Sequence, residues 1–129
     1  MITLSLLQYL EDNGYGTIDT DLFWQKLSLG KKGVYIVSIG QPQARDGLRV
    51  QRYQLYSRGT TNVNGYERLA NIVDFLNSSY NVCTLPKADV LPNSQAYENV
   101  TIMPISTPTN IGEDTKGRII WSATGELRY

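Results

Sequence analysis

Hydrophobic positions divide the chain into two helical stretches and several extended ones. Near the start, Ile2, Leu6, Leu7 and Leu10 recur at helical spacing, which predicts a helix from about Leu4 to Asn13. Ser5 followed by Gln8 fits a capping box, with Thr3 as a rival N-cap. Asn13-Gly14 is a stop signal, because glycine takes the left-handed conformation beyond a last helical turn. Leu69, Ile72, Val73, Leu76 and Tyr80 fall at i, i+3, i+4, i+7 and i+11 and predict a second helix from about Gly65 to Ser79. Asn64 with Glu67 offers it a capping box.

The remaining segments read as extended. Within Asp19 to Leu29, the cluster Leu22-Phe23-Trp24 fits a short strand or a turn of helix. Lys31-Lys32-Gly33 suggests a turn, and Val34 to Ile39 is apolar on both faces, as a central strand is. Gln41 to Gly47 is expected to be a loop, with Pro42 and Asp46-Gly47 as turn residues. Leu48 to Arg58 reads as a long strand whose alternation is imperfect, so a bulge or an exposed stretch is expected. These two strands make an antiparallel hairpin with a polar, mobile tip. Asn81 to Leu85 should be a short strand stopped by Pro86, residues 86–96 irregular, and Glu98 to Ile105 a further strand. Thr107 to Gly117 reads as a polar loop. Arg118 to Tyr129 alternates, with Ile119, Trp121, Ala123, Leu127 and Tyr129 on one side. Helix, strands, helix, strands implies an α+β single-domain sandwich: a mainly antiparallel β-sheet with two helices packed on one face.

Composition narrows the chemistry. The 129 residues are 41% hydrophobic, enough for one domain with a core. Nine tyrosines supply contact area with few rotatable bonds, which suits interfaces and the rims of sheets alike. Histidine is absent, which removes the commonest general base, the commonest metal ligand and the Ser-His and Cys-His nucleophiles. The lone Cys83 allows no internal disulfide and, lying between Val82 and Thr84, is expected as a buried structural thiol. The carboxylate pair Glu11/Asp12 reads as solvated at a helix end, and Glu113/Asp114 lies in a Gly-flanked loop whose neighbourhood offers too few oxygen ligands for a metal. No glycine pattern makes a phosphate loop. The expectation is a protein that is not an enzyme and carries no cofactor or metal. Residues 1–12 contain no basic n-region, and no apolar run reaches the roughly 18–20 residues of a membrane span. A protein made or assembled in a reducing cytoplasm is expected.

Charge adds a hint of assembly. Twelve basic and twelve acidic residues cancel. Residues 1–25 hold Glu11, Asp12, Asp19 and Asp21 and no Lys or Arg, a net −4. Residues 26–68 hold eight basic residues against Asp46 and Glu67, a net +6. Folding can mix these charges over the surface, or the segregation can serve a head-to-tail contact that closes into a ring. Arg45, Arg49, Arg52 and Arg58, interleaved with Tyr53 and Tyr56, also fit a groove for single-stranded nucleic acid. A solvated or intersubunit arginine face is the alternative.

One segment carries a resemblance. Ile111-Gly112-Glu113-Asp114-Thr115-Lys116-Gly117-Arg118-Ile119-Ile120-Trp121-Ser122 follows a helix ending Phe75-Leu76, a hairpin with a polar tip, Leu22-Phe23-Trp24 and the N-terminal helix. In this order and in Gly112, Asp114, Gly117 and Arg118 the chain resembles the tail terminator proteins of long-tailed bacteriophages, also called minor capsid or tail completion proteins. The resemblance implies a structural virion protein of the tail or neck, a homo-oligomeric ring usually of six subunits. Such a ring sits on the last ring of the major tail tube protein and stops tube polymerisation. It offers the surface to which the head-completion connector joins, and viral DNA passes through its lumen without specific recognition. Trp24, Arg45, Arg49, Arg52, Asp114 and Arg118 are the candidate subunit and tube contacts. Core packing is the first reading of Trp24 and an interface anchor the second, and Asp114 could pair with Arg118 locally or across subunits. A head-closure or head-completion connector at the portal vertex, and a single-stranded nucleic-acid-binding module, are the other readings.

Overall fold

The computed structural model describes residues 2–25, 31–45, 47–79, 82–91 and 94–129. The element order is α1 (Ile2–Asp12), β1 (Leu22–Trp24), β2 (Gly33–Arg45), β3 (Leu48–Arg58), α2 (Asn62–Ser78), β4 (Cys83–Leu85), β5 (Tyr97–Ile102), β6 (Thr109–Glu113) and β7 (Ile119–Arg128). The seven strands form a curled sheet in the order β1-β2-β3-β7-β5-β4, with β6 pairing beside the first half of β7. Every pairing is antiparallel except β1 with β2. The fold is α+β, as the pattern implies.

Alternation selects the face that is covered. Val34, Ile36, Tyr53, Leu55, Ala123, Leu127, Val100 and Ile102 project from the strands into one cluster with the apolar side chains of both helices. Ile36 pairs with Leu55 and Leu55 with Ala123, so the central rungs of the sheet feed the core together. The helices therefore lie on the same face. The other face carries Tyr35 stacked on Tyr56, ring centroids 4.8 Å apart, with Gln54 bonded to Ser122 at 2.8 Å.

Helix α1 is buried almost all round: Ile2, Thr3, Leu4, Ser5, Leu6, Leu7, Gln8 and Leu10 are all inside. It lies against β1, β2 and β4, so more than one stripe is covered. Thr3 and Ser5 are within the helix and neither is its N-cap. Thr3 Oγ1 instead shares a 2.7 Å hydrogen bond with Ser38. The buried Gln8 amide donates to Glu11 and Asp12 and its carbonyl accepts from Asp89 N–H. Glu11 also accepts from Ile18 N–H at 2.6 Å, so it is engaged in the fold and not simply solvated. The stop at Asn13-Gly14 holds. Gly14 has φ 84°, Gly14 N–H donates to Glu11 O and Tyr15 N–H to Leu10 O, the pairing of a Schellman motif.

Several boundaries move. Gln41 to Arg45 is strand and not loop: β2 runs to Arg45, which pairs with Leu48. The irregularity expected in Leu48–Arg58 falls on its partner, where the register shifts between Ile39 and Gln43. Three residues of β2, Gly40 to Pro42, face the single Gln51 there; Gly40 turns at φ 69°, and Pro42, which cannot donate, is tolerated at such a bulge. The capping box at Asn64 and Glu67 is not used. Thr61 is the N-cap of α2, its hydroxyl accepting from Asn64 N–H at 3.1 Å, and the helix starts at Asn62. The loop Thr107–Gly117 contains β6, whose Glu113 pairs with Ile119. The Lys31-Lys32-Gly33 turn is absent: Lys31 and Lys32 lead irregularly into β2, which starts at Gly33. Leu22-Phe23-Trp24 is a strand, parallel to Val34–Ile36. Of the two residue stretches read around it and before β4, 26–30 and Asn81 lie outside the described residues.

Candidate functional site

The six candidate residues separate into three places. Arg45, Arg49 and Arg52 stand at the far end of the β2–β3 hairpin, with Arg49 and Arg52 exposed. Asp114 and Arg118 stand at the opposite end, in the turn between β6 and β7. Trp24 lies on β1, half-buried against the core, its indole N–H donating to Thr3 Oγ1 at 3.0 Å. Trp24 thus takes the packing role.

The β6–β7 turn is held by one carboxylate. Asp114 Oδ1 accepts from Lys116 N–H and Arg118 N–H, each at 2.9 Å. Asp114 Oδ2 accepts from Arg118 Nε at 2.8 Å and lies 3.2 Å from Arg58 Nη1. Partial burial pushes the carboxyl up, but the amides of Arg118 and Lys116 and the Arg118 guanidinium together hold it below the usual carboxylate value. The pairing is therefore local. Arg58, only 6% exposed, also donates through Nε and Nη2 to Lys31 O, so it ties the entry of β2 to this turn.

That placement removes two members from the proposed nucleic-acid groove. Arg58 and Tyr53 are both buried, so the arginines and tyrosines of β3 do not form one exposed row. Alternation along β3 puts Tyr53, Leu55 and Ser57 on the covered face, while Arg58 is covered by the turn that returns from β6. Sequence spacing shows the first effect. It carries no sign of the second, because the covering residues lie far along the chain.

Beside the turn is an apolar groove of about 430 Å³ lined by Asn62, Val63, Tyr66, Glu67 and Trp121. The Tyr66 ring meets Trp121 edge-on, centroids 5.0 Å apart. Asn62 fixes the floor: its side-chain oxygen accepts from Ile119 N–H at 3.0 Å and its carbonyl from Trp121 Nε1 at 3.2 Å. None of Asn62, Tyr66 and Glu67 is among the six candidates. Their signal in the sequence is a helix whose first turn carries Val63 and Tyr66 off the core stripe.

A second cation–carboxylate contact lies nearby. Arg68 reaches Asp21 at 2.7 Å, and Asp21 accepts from Thr17 N–H at 2.6 Å. Burial raises the Asp21 carboxyl, and the Thr17 amide and Arg68 outweigh it, leaving it below its ordinary value. Cys83 is half-buried, and burial pushes its thiol up, away from nucleophilic use. Among the described residues, no three His, Cys, Asp or Glu side chains converge on a point where a metal ion could sit. Among the same residues, no helix is long and apolar enough to cross a membrane.

No protein-family model matches the chain, and no curated protein matches it.

Proposed function

We propose that this chain is a structural protein of a bacteriophage virion that assembles as a ring, caps the tail tube, stops its polymerisation and presents the surface to which the head is joined. Its partners in this reading are further copies of itself, the major tail tube protein and a head-completion connector, with DNA passing through the lumen. It acts by shape and charge and makes or breaks no bond.

One observation carries the reading. The segment on which the resemblance rests, Ile111 to Ser122, is a strand, a tight turn and a strand in which Asp114 and Arg118 hold each other. Gly117 has φ 76°, a backbone that favours glycine, and its N–H closes the turn onto Asp114 O at 3.0 Å. The distinctive residues of the segment each have a task in one element. Two surfaces of different character at opposite ends of the sheet, a basic hairpin end and an apolar groove, suit an object that contacts unlike neighbours on its two sides.

The test is electron microscopy of the purified protein with tail tubes of the phage that encodes it. A single added layer at one tube end, with elongation arrested, is expected. Tubes that keep growing with no added layer overturn the reading. In that case, addition of the protein to filled heads distinguishes the head-side connector.

A further inference from the structure

We infer that the tip of the β2–β3 hairpin of one copy docks into the Val63–Tyr66–Trp121 groove of a second copy, and that this is the contact that propagates around the ring. The inference rests on the ring reading and specifies which surfaces meet.

The groove is built to receive something apolar. Val63 is 64% exposed at its rim, although it sits in a helix whose core stripe is otherwise inside. Trp121 is held by its bond to Asn62 O, and Tyr66 is held against it, so both rings are fixed before anything binds. Rigid aromatic walls around a small hollow are the usual anchor of a protein interface. The groove's one charged lining residue is Glu67, and Glu113 is exposed in the adjacent β6.

The hairpin end offers the complement. Leu48 is 47% exposed where β3 begins. It is flanked by basic residues: Arg45, Arg49 and Arg52 against Asp46 give residues 45–52 a net +2. An apolar side chain with exposed Arg49 and Arg52 on its strand matches an apolar groove whose one charged lining residue is Glu67.

Geometry makes the contact intermolecular. β3 runs eleven residues from Leu48 to Arg58, and α2 with its groove follows the far end. At about 3.3 Å per residue the tip and the groove lie roughly 30 Å apart along the sheet. The tip of a chain cannot reach its own groove. Joining two different patches is a heterologous contact, which repeats from copy to copy and closes when the rotation allows.

Cross-linking in a Cys83→Ser background tests this. Leu48→Cys is placed in one preparation and Val63→Cys in another, and the two are mixed with tail tubes and oxidised. A disulfide-linked pair is expected in the mixture and in neither preparation alone, since like patches do not meet. A Leu48→Asp variant, with unchanged circular dichroism, is expected to lose capping at least tenfold. Capped tubes that yield no 48–63 product, or a Val63→Cys product with the tube protein instead, overturn the docking contact and leave the ring reading standing. Capping by Leu48→Asp at the normal level also overturns it. Failure of the Cys83→Ser parent to cap, where the unaltered protein also fails, overturns the ring reading and the inference together.

Discussion

Tyr53 lies directly over Gly125 on the neighbouring strand, the two being register partners in the β3–β7 ladder. A Cβ on Gly125 would stand 2.5 Å from the Tyr53 phenolic oxygen and ring carbon. The tyrosine ring thus fills the space that a side chain on the facing strand would take. Its hydroxyl is buried without a hydrogen-bond partner among the described residues, and burial pushes its ionisation far up.

Two substitutions separate these effects. Gly125→Ala forces the ring out of place and is expected to cost about 1–3 kcal/mol, the range for overpacking a core. Tyr53→Phe removes a hydroxyl that has lost its water and gained nothing. It is expected to be neutral or stabilising by about 1 kcal/mol. Urea unfolding followed by circular dichroism checks both, and a strongly destabilised Tyr53→Phe would show that the hydroxyl has a partner.

Asp114 makes stability depend on pH in a stated direction. Its folded-state value lies below the ordinary 3.8, so between the two values the unfolded chain holds more protons than the folded one. The stabilisation is complete above the unfolded value and is lost as pH falls through the folded one. Asp21 acts in the same sense. Thermal melts from pH 6 to pH 2 should show a falling Tm, and Asp114→Asn should flatten that fall. An unchanged slope in the variant would assign the acid sensitivity elsewhere.

Arg58 and Arg118 both contact Asp114, but their burial differs. The Arg58 side chain is 6% exposed and that of Arg118 20%. Arg58 also serves Lys31 O. Arg58→Ala should cost about 3 kcal/mol or more, as loss of one partner of a buried pair does. Arg118→Ala should cost clearly less. Equal losses in chemical denaturation would mean that the Lys31 link contributes nothing.

The N-cap assignment has its own test. Thr61→Ala should cost about 1 kcal/mol, whereas Asn64→Ala, which removes a side chain bonded to the exposed Thr60 hydroxyl at 3.2 Å, should cost less. The reverse order would restore Asn64 as the cap.

Where the sequence was informative, it was because local periodicity decides the outcome. The apolar spacing from Leu69 to Leu76 and the alternation from Ile119 to Leu127 are set by neighbouring residues in the sequence, and both appear as read. Glycine after Asn13 likewise acts within its own turn. Burial imposed from afar was not legible. Ser5 and Gln8 resemble cap residues, yet they are inside because β4 and the Asp89 segment cover the back of α1. Gln41 to Arg45 has the composition of a loop and is strand because Leu48–Val50 pairs with it. The sequence identified Asp114 and Arg118 together, but not Arg58, whose partner is a turn closed many residues later. It placed Arg49 and Arg52 correctly on the outside, and left the aromatic groove unmarked because Tyr66 and Trp121 meet only in three dimensions.

The position of β7 in the sheet has a consequence for synthesis. β7 lies between β3 and β5, so the middle of the sheet is filled by a segment made long after β3. Until residues 119–128 emerge, β3 has a partner on one side only, and Leu55 and Tyr53 face a core that lacks Ala123 and Leu127. Pairings between distant parts of a chain form slowly, after the loop entropy has been overcome. Until then the hairpin and the two helices lack the strand that completes their core, and the groove at Trp121 cannot form. The apolar groove lined by Tyr66 and Trp121 is in this way withheld until β7 has joined the sheet.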